Sequence, residues 1–336
     1  MTLSNANTGP SLPRATRRWR DVLLFGGLFA LALIGLVGLA ASTGWEEVKA
    51  QILRLSFAQF LALLGFSLIN YILRGLRWHM FAHRLSLPIG ILGSLRHFFG
   101  GFAMSVTPGR VGELVRMRWL RRETGWSFES TAPLALMDRA SDLASMALLL
   151  GFSIALSTSG IAGAVPVTIF AFAAAIIATR PKLLAGIVTI LFRLIGRWPR
   201  LFARFRAAAH SLKHFSQARL LLPATGLGLL GWVAEAYSFY LLLMWMGADV
   251  GLWMAAAIFI FSTLAGGLTG VPGGVGGAEA AMIALLSMEG VPLEVSLPAT
   301  AIIRVTTLWF AIGLGLLIFP LAERHSLKVS HALENN

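Results

Sequence analysis

Two long apolar stretches of this chain are interrupted by the same short sequence. Thr107-Pro108-Gly109-Arg110-Val111-Gly112-Glu113 returns, 164 residues later, as Val271-Pro272-Gly273-Gly274-Val275-Gly276-Gly277-Ala278-Glu279. Both read Pro-Gly-x-Val-Gly and then reach a glutamate. Proline removes a helical donor and clashes with the preceding turn, while glycine permits φ > 0, so each motif breaks a helix. A broken helix at membrane depth exposes backbone groups that lipid cannot satisfy, and it persists only when buried in protein or lining a wet cavity. Matching breaks in two halves of one chain point to a transporter's binding site. Read singly, each is an ordinary turn between spans; the matched spacing favours the functional reading.

The flanking sequence supports a membrane setting. The chain is 57% hydrophobic and 13% charged, against about 25% charged for soluble domains, and its mean hydropathy is +0.75. Val22–Ala41 carries no charge over twenty residues, enough to cross about 30 Å of hydrocarbon. It follows Arg14, Arg17, Arg18 and Arg20, and is too long for a typical signal-peptide core, so it reads as an uncleaved first span. With no cysteine, disulfides, thiolate metal sites and thiol nucleophiles are excluded. Of seven histidines only His79 and His83 have ligand-like spacing, and they sit at an expected membrane edge, so no metal site is expected. The net charge of +13 falls in short loops beside spans, as cytoplasmic loops require, which argues for anionic headgroups and against nucleic acid.

Charge asymmetry then gives a topology. Spans are expected over Val22–Ala41, Phe57–Leu73, Thr131–Leu156, Ile161–Ala178, Leu220–Met246 and Ser296–Phe319, with both termini in the cytoplasm. Ile89–Leu120 has basic residues at both ends, including Arg110, Arg116, Arg118, Arg121 and Arg122, so it should dip in and return at Pro108-Gly109. Leu252–Met288 lies between acidic loops and should do the same at Pro272-Gly273. Residues 182–219 read as a basic amphipathic stretch on the cytoplasmic surface. The expectation is an all-α polytopic membrane protein of about six full spans plus two re-entrant helical hairpins. A single membrane domain over residues 21–320 would carry an inverted repeat, residues 57–156 and 220–319, between a cytoplasmic segment 1–20 and a tail 321–336.

Charges inside those spans are the candidate functional residues. Glu113, Asp138, Asp142, Glu235, Glu279, Arg139 and Arg304 all fall at expected membrane depth, where each costs about 2.5–3.5 kcal/mol on insertion scales and must be paired, hydrated or functional. Arg139 follows Glu113 by 26 residues and Arg304 follows Glu279 by 25, so the repeat extends beyond the breaks. Asp138 and Asp142 share a helix face, and Ala140, Ser141, Ala144 and Ser145 let another helix approach. In one reading the glutamates pin the broken helices and the arginines neutralise them. In the other, Arg110, Arg139 and Arg304 bind an anionic headgroup with help from helix N-terminal amides. Pro108, Gly109, Gly112, Pro272, Gly273, Gly274 and Gly276 are the structural breaks of those helices. Arg74 and Arg77, beside Trp78, read as interfacial anchors and secondary candidates. Glu235 reads as a buried carboxylate hydrogen-bonded to Tyr237 or a serine, with proton coupling as the functional alternative.

These pieces resemble the transmembrane domain of the lysylphosphatidylglycerol synthase/flippase family. The resemblance rests on Arg74-Gly75-Leu76-Arg77-Trp78, on Thr107–Arg116, on Met137-Asp138-Arg139-Ala140-Ser141-Asp142 and on Val271–Glu279, and extends over about residues 20 to 320. It implies a polytopic protein of the bacterial cytoplasmic membrane that moves phospholipids or other amphiphiles between leaflets. The full-length synthases carry an aminoacyltransferase domain after the membrane part; this sequence ends sixteen residues past Pro320, so lipid aminoacylation is not expected. No Gly-x-x-x-x-Gly-Lys-Ser/Thr motif is present and no cofactor is expected. The expected activity is lipid translocation through a polar groove between the repeats, with membrane lipid as substrate. Two alternatives stand beside it. One is a membrane transferase using Asp138 and Asp142 as metal ligands or base. The other is a non-transporting anchor for a lipid-modifying enzyme; the partners to expect are such an enzyme or further copies of the chain in a homo-oligomer.

Overall fold

The computed structural model describes residues 53, 55–105, 111–157, 164–180 and 217–334, with scattered positions from 182 to 215. The expected first span Val22–Ala41, most of the basic stretch 182–219, and Pro108, Gly109 and Arg110 lie outside the described residues. Among those described, every regular element is helical. The order is α1 (Phe57–Arg84), α2 (Ile91–Gly101), a 3₁₀ turn at Phe102–Met104, α3 (Val111–Thr124), α4 (Phe128–Leu156) and α5 (Ala164–Thr179). There follow α6 (Ala218–Trp245), α7 (Leu252–Leu268), a 3₁₀ turn at Pro272–Gly274, α8 (Gly277–Met288) and α9 (Leu293–Arg304). A π-helical turn, Val305–Trp309, joins α9 to α10 (Phe310–Glu334). Among the described residues, four stretches are long and apolar enough to cross a membrane: Phe57–Arg84, Ser130–Leu156, Arg219–Trp245 and Leu293–Ser330. The span expected at Ile161–Ala178 is the shorter helix α5, of 16 residues.

Local chemistry sets the boundaries. Ser56 caps α1 reciprocally: its Oγ accepts from the Gln59 amide (3.2 Å), and the Gln59 side chain accepts from the Ser56 amide (2.8 Å). α1 runs on to Arg84, well beyond Leu73 where the first return span was expected to end. The second break is made by glycines: Gly273, Gly274 and Gly276 have φ of 66°, 65° and 84°, values that cost residues bearing a Cβ. Their reversal lays α8 against α7, with Ala278 and the Gly274 carbonyl so close to Gly266 that a Cβ there would overlap both. The π turn coincides with Thr306 and Thr307, whose hydroxyls donate to the carbonyls of Ile302 and Ile303. Such side-chain competition loosens the regular ladder.

The order long helix, short helix, 3₁₀ turn, short helix, long helical stretch occurs from α1 to α4 and from α6 to α10, where α9, the π turn and α10 together make the last stretch. The two halves also exchange contacts. α2, α3 and the first 3₁₀ turn pack on α10, while α7 packs on α4. Close approach is made by small residues, as expected where lipid is as apolar as leucine. A Cβ on Gly315 of α10 would collide with the Ala103 backbone, and one on Gly228 of α6 would collide with Ser145 of α4. Leu222, Leu230, Leu316, Leu317 and Phe170 remain exposed, an apolar exterior that suits lipid.

Candidate functional site

Polar residues on α1 recur at Ser67, Asn70, Arg74 and Arg77, and all four are buried. This spacing of three, four and three is one helical face, and it meets Asp138 and Asp142 on α4. Arg77 is wholly enclosed. Its Nη2 lies 2.6 Å from Asp138 Oδ1 and 2.7 Å from Asp142 Oδ1, and also donates to the Asp138 carbonyl. Arg74 Nη2 reaches Asp142 Oδ2 at 2.5 Å. Arg116 stacks over the Phe98 ring at 4.5 Å and the Trp78 ring at 5.3 Å, and lies 3.8 Å from Asp138 Oδ2.

These placements correct two expectations. Arg74 and Arg77 are not interfacial anchors, because α1 continues past them and turns both into the protein. Arg116, read with the basic residues at the end of the first hairpin, is buried rather than solvated; α3 folds back on α2 and carries it among the rings of Trp78, Phe98 and Phe102. Two outer ties hold α3 in place. Glu123 accepts from Arg96 and pairs with His97, and Glu323 of α10 accepts from Arg118, Trp119 and Arg122. Burial pushes the Glu123 carboxyl up, but His97 and Arg96 outweigh it and hold it below its ordinary value.

Glu279 and Arg304 form the second centre. Arg304 Nε donates to Glu279 Oε1 (2.6 Å) and Nη2 to the Gly273 carbonyl (2.7 Å), while Glu279 Oε2 accepts from the Gly276 amide (2.7 Å). One guanidinium thus ties α9 to both the break and the first turn of α8. Arg139, its counterpart in sequence, lies 3.7 Å from Asp142 Oδ2 with its side chain 32% exposed. Gly112 and Glu113 fall in the first turn of α3.

A cavity of about 380 Å³ lies between the halves. Arg74, Arg139, Arg304, Asp142 and Glu235 supply its charged wall. Phe102 and Ser105, which precede the first motif in the chain, line it, as does Gly273 of the second break. Phe170 and Leu268, each 59% exposed, form an apolar rim. Glu279 stands behind the wall as the partner of Arg304, and Asp138 lies off the wall, paired with the enclosed Arg77. The buried Nε of Arg74 has no hydrogen-bond partner. Glu235 does not meet Tyr237, whose ring turns outward against Phe66 at 5.6 Å; its charged neighbours are Arg74, Arg304 and Asp142, with Asn70 beside it. Tyr71, whose hydroxyl donates to the Thr307 carbonyl, Asn70 and Trp232 went unnoticed in the sequence. The polar stripe on α1 is the signal that could have revealed Asn70.

Residues 23–315 match the family model described as the lysylphosphatidylglycerol synthase TM region. The chain belongs to this family. A UPF0104 membrane protein of Methanothermobacter thermautotrophicus is 26% identical over 321 residues, covering 86% of this chain and 94% of the relative. A second match of the same description in that organism is 32% identical over 89 residues, 26% of this chain and 27% of its own length. The residues that build the cavity all lie within the region matching the lysylphosphatidylglycerol synthase membrane family.

Proposed function

We propose that this integral membrane protein is a lipid translocase that seats an anionic or zwitterionic headgroup in the cavity while the acyl chains remain in the bilayer. The carrying observation is a cavity with three arginines on its wall and an exposed apolar rim. Arginine's planar fork suits phosphate oxygens, and Arg74 keeps a buried donor without a protein acceptor. The repeated element order and the exchange of hairpins between halves support an inverted repeat in which the α2–α3 and α7–α8 pairs are re-entrant. Rocking of the halves, or movement of the hairpins, would open the cavity alternately to the two leaflets. In this reading the protein sits in the cytoplasmic membrane with both termini inside, as one membrane domain. The transferase alternative is disfavoured because Asp138 and Asp142 already accept from Arg74 and Arg77, which leaves them poor metal ligands or bases.

The test is reconstitution of the purified chain into liposomes containing fluorescent phosphatidylglycerol, followed by dithionite quenching. Faster loss of inner-leaflet fluorescence than in protein-free vesicles is expected, abolished by Arg139→Ala. Wild-type rates equal to those of protein-free vesicles would overturn the reading and favour the non-transporting partner.

A further inference from the structure

The four buried acids among the described residues differ in one respect. Asp138, Asp142 and Glu279 each make an ion pair with an arginine. Glu235, only 4% exposed, makes none, yet it lines the cavity. Asn70 stands beside it, and Gly231, one turn earlier on α6, packs against the Asn70 side chain so closely that a Cβ there would overlap it. The charged and titratable groups facing Glu235 can be named element by element. α1 brings Tyr71 and Arg74, α4 brings Arg139 and Asp142, and α9 brings Arg304. α5 and α7 bring none, since neither helix contains an ionisable residue. Among the described residues no histidine lies on the wall.

We propose that Glu235 is a proton-binding site whose charge competes with the anionic ligand, making the proton a co-substrate of the lipid. The proposal rests on the headgroup reading of the cavity. An ionised Glu235 shares the field of Arg74 and Arg304, and in a low-dielectric cavity two anions so close repel strongly. An incoming phosphodiester takes over those arginines, and the carboxylate is left without compensation. It then gains a proton on one oxygen from water, becoming a neutral acid that can donate to the bound phosphate. Departure of the lipid restores the arginine field, and the proton leaves. Anion and proton therefore enter and leave together, so a proton gradient can drive a net movement of lipid. The other three acids keep donors when the wall arginines turn to the lipid, because Asp138 and Asp142 share the enclosed Arg77 and Glu279 also accepts from the Gly276 amide.

The experiment measures proton uptake directly. Short-chain phosphatidylglycerol is titrated into the full-length protein in weakly buffered detergent solution containing a pH indicator, and binding is followed in parallel by calorimetry. Wild type should take up about one proton per lipid bound, and its affinity should fall about tenfold per pH unit once Glu235 is ionised in the empty protein. Glu235→Gln should bind lipid with no proton uptake and no pH slope, and Glu235→Asp should keep both. A wild-type affinity that is flat from pH 5 to pH 9 overturns the proposal without reference to any variant, and leaves the headgroup reading intact if lipid still binds. The same uptake and slope surviving in Glu235→Gln would also overturn it. A parallel titration with inorganic phosphate separates the sources of the anion. Uptake with phosphate but not with lipid would support the coupling and tell against lipid as the substrate; binding of neither overturns both.

Discussion

Replacing Arg304 separates charge from geometry at the second break. Were its only role to neutralise Glu279, lysine would serve as well. The structure shows more: Nε and Nη2 of one guanidinium hold two acceptors, Glu279 Oε1 at 2.6 Å and the Gly273 carbonyl at 2.7 Å. A lysine ammonium on the carboxylate abandons the carbonyl. Bonds between membrane helices average about 0.6 kcal/mol and reach about 1.7, whereas those to charged groups in soluble proteins are worth about 1.5–3. Arg304→Lys should therefore destabilise by about 1.5 kcal/mol, where those ranges meet. Arg304→Met removes the charge as well and strands a Glu279 side chain that is only 10% exposed, at a cost of about 3–5 kcal/mol. In Glu279→Gln/Arg304→Met no lone charge remains, so the double variant should recover at least about 1 kcal/mol of the summed single losses. Reversible unfolding of the purified variants in mixed detergent and SDS micelles gives these differences. A lysine variant as stable as wild type would refute the two-acceptor argument, and strict additivity in the double variant would refute the pairing.

Three further outcomes follow from the same contacts. Asp138→Asn and Asp142→Asn leave the enclosed Arg77 short of counter-charge and should cost about 3–5 kcal/mol in the same unfolding assay, whereas the part-exposed Arg139→Lys should change stability by less than about 1 kcal/mol while slowing lipid movement. Gly228→Ala puts a methyl on Ser145 and 2.7 Å from Arg77 Nη1, an overpacking worth about 1–3 kcal/mol. Gly226→Ala, two residues away with nothing within 4 Å, should instead stabilise α6 by about 0.4–1 kcal/mol; equal effects at the two positions would contradict the packing. Glu123, held below its ordinary value in the folded protein, stabilises α2 against α3 above that ordinary value and loses the contribution as pH falls through the depressed one. Melting temperature should therefore drop on acidification less steeply in Glu123→Gln than in wild type, and parallel profiles would exclude the tie.

The sequence by itself determined that this is a helical membrane protein with two matched breaks, because span length, charge asymmetry and Pro-Gly chemistry are local properties. It also showed that Asp138, Asp142, Glu279 and Arg304 needed an explanation, since charge in an apolar run is visible without a fold. Only the tertiary structure decided which charges meet. Arg74 and Arg77 look like edge anchors in one dimension, and they become the partners of Asp142 and Asp138 only because α1 runs 28 residues and turns that face to α4. Arg116, one of the basic residues that end the stretch Ile89–Leu120, is drawn inside by the return of α3 onto α2. Glu235 and Tyr237 are two positions apart on one helix and therefore point in different directions, so the neighbours of Glu235 come from α1, α4 and α9, far away in the chain. Guanidinium–carboxylate pairing is short-ranged and directional. Its partners are chosen by helix rotation and crossing, which hydropathy and spacing leave unspecified.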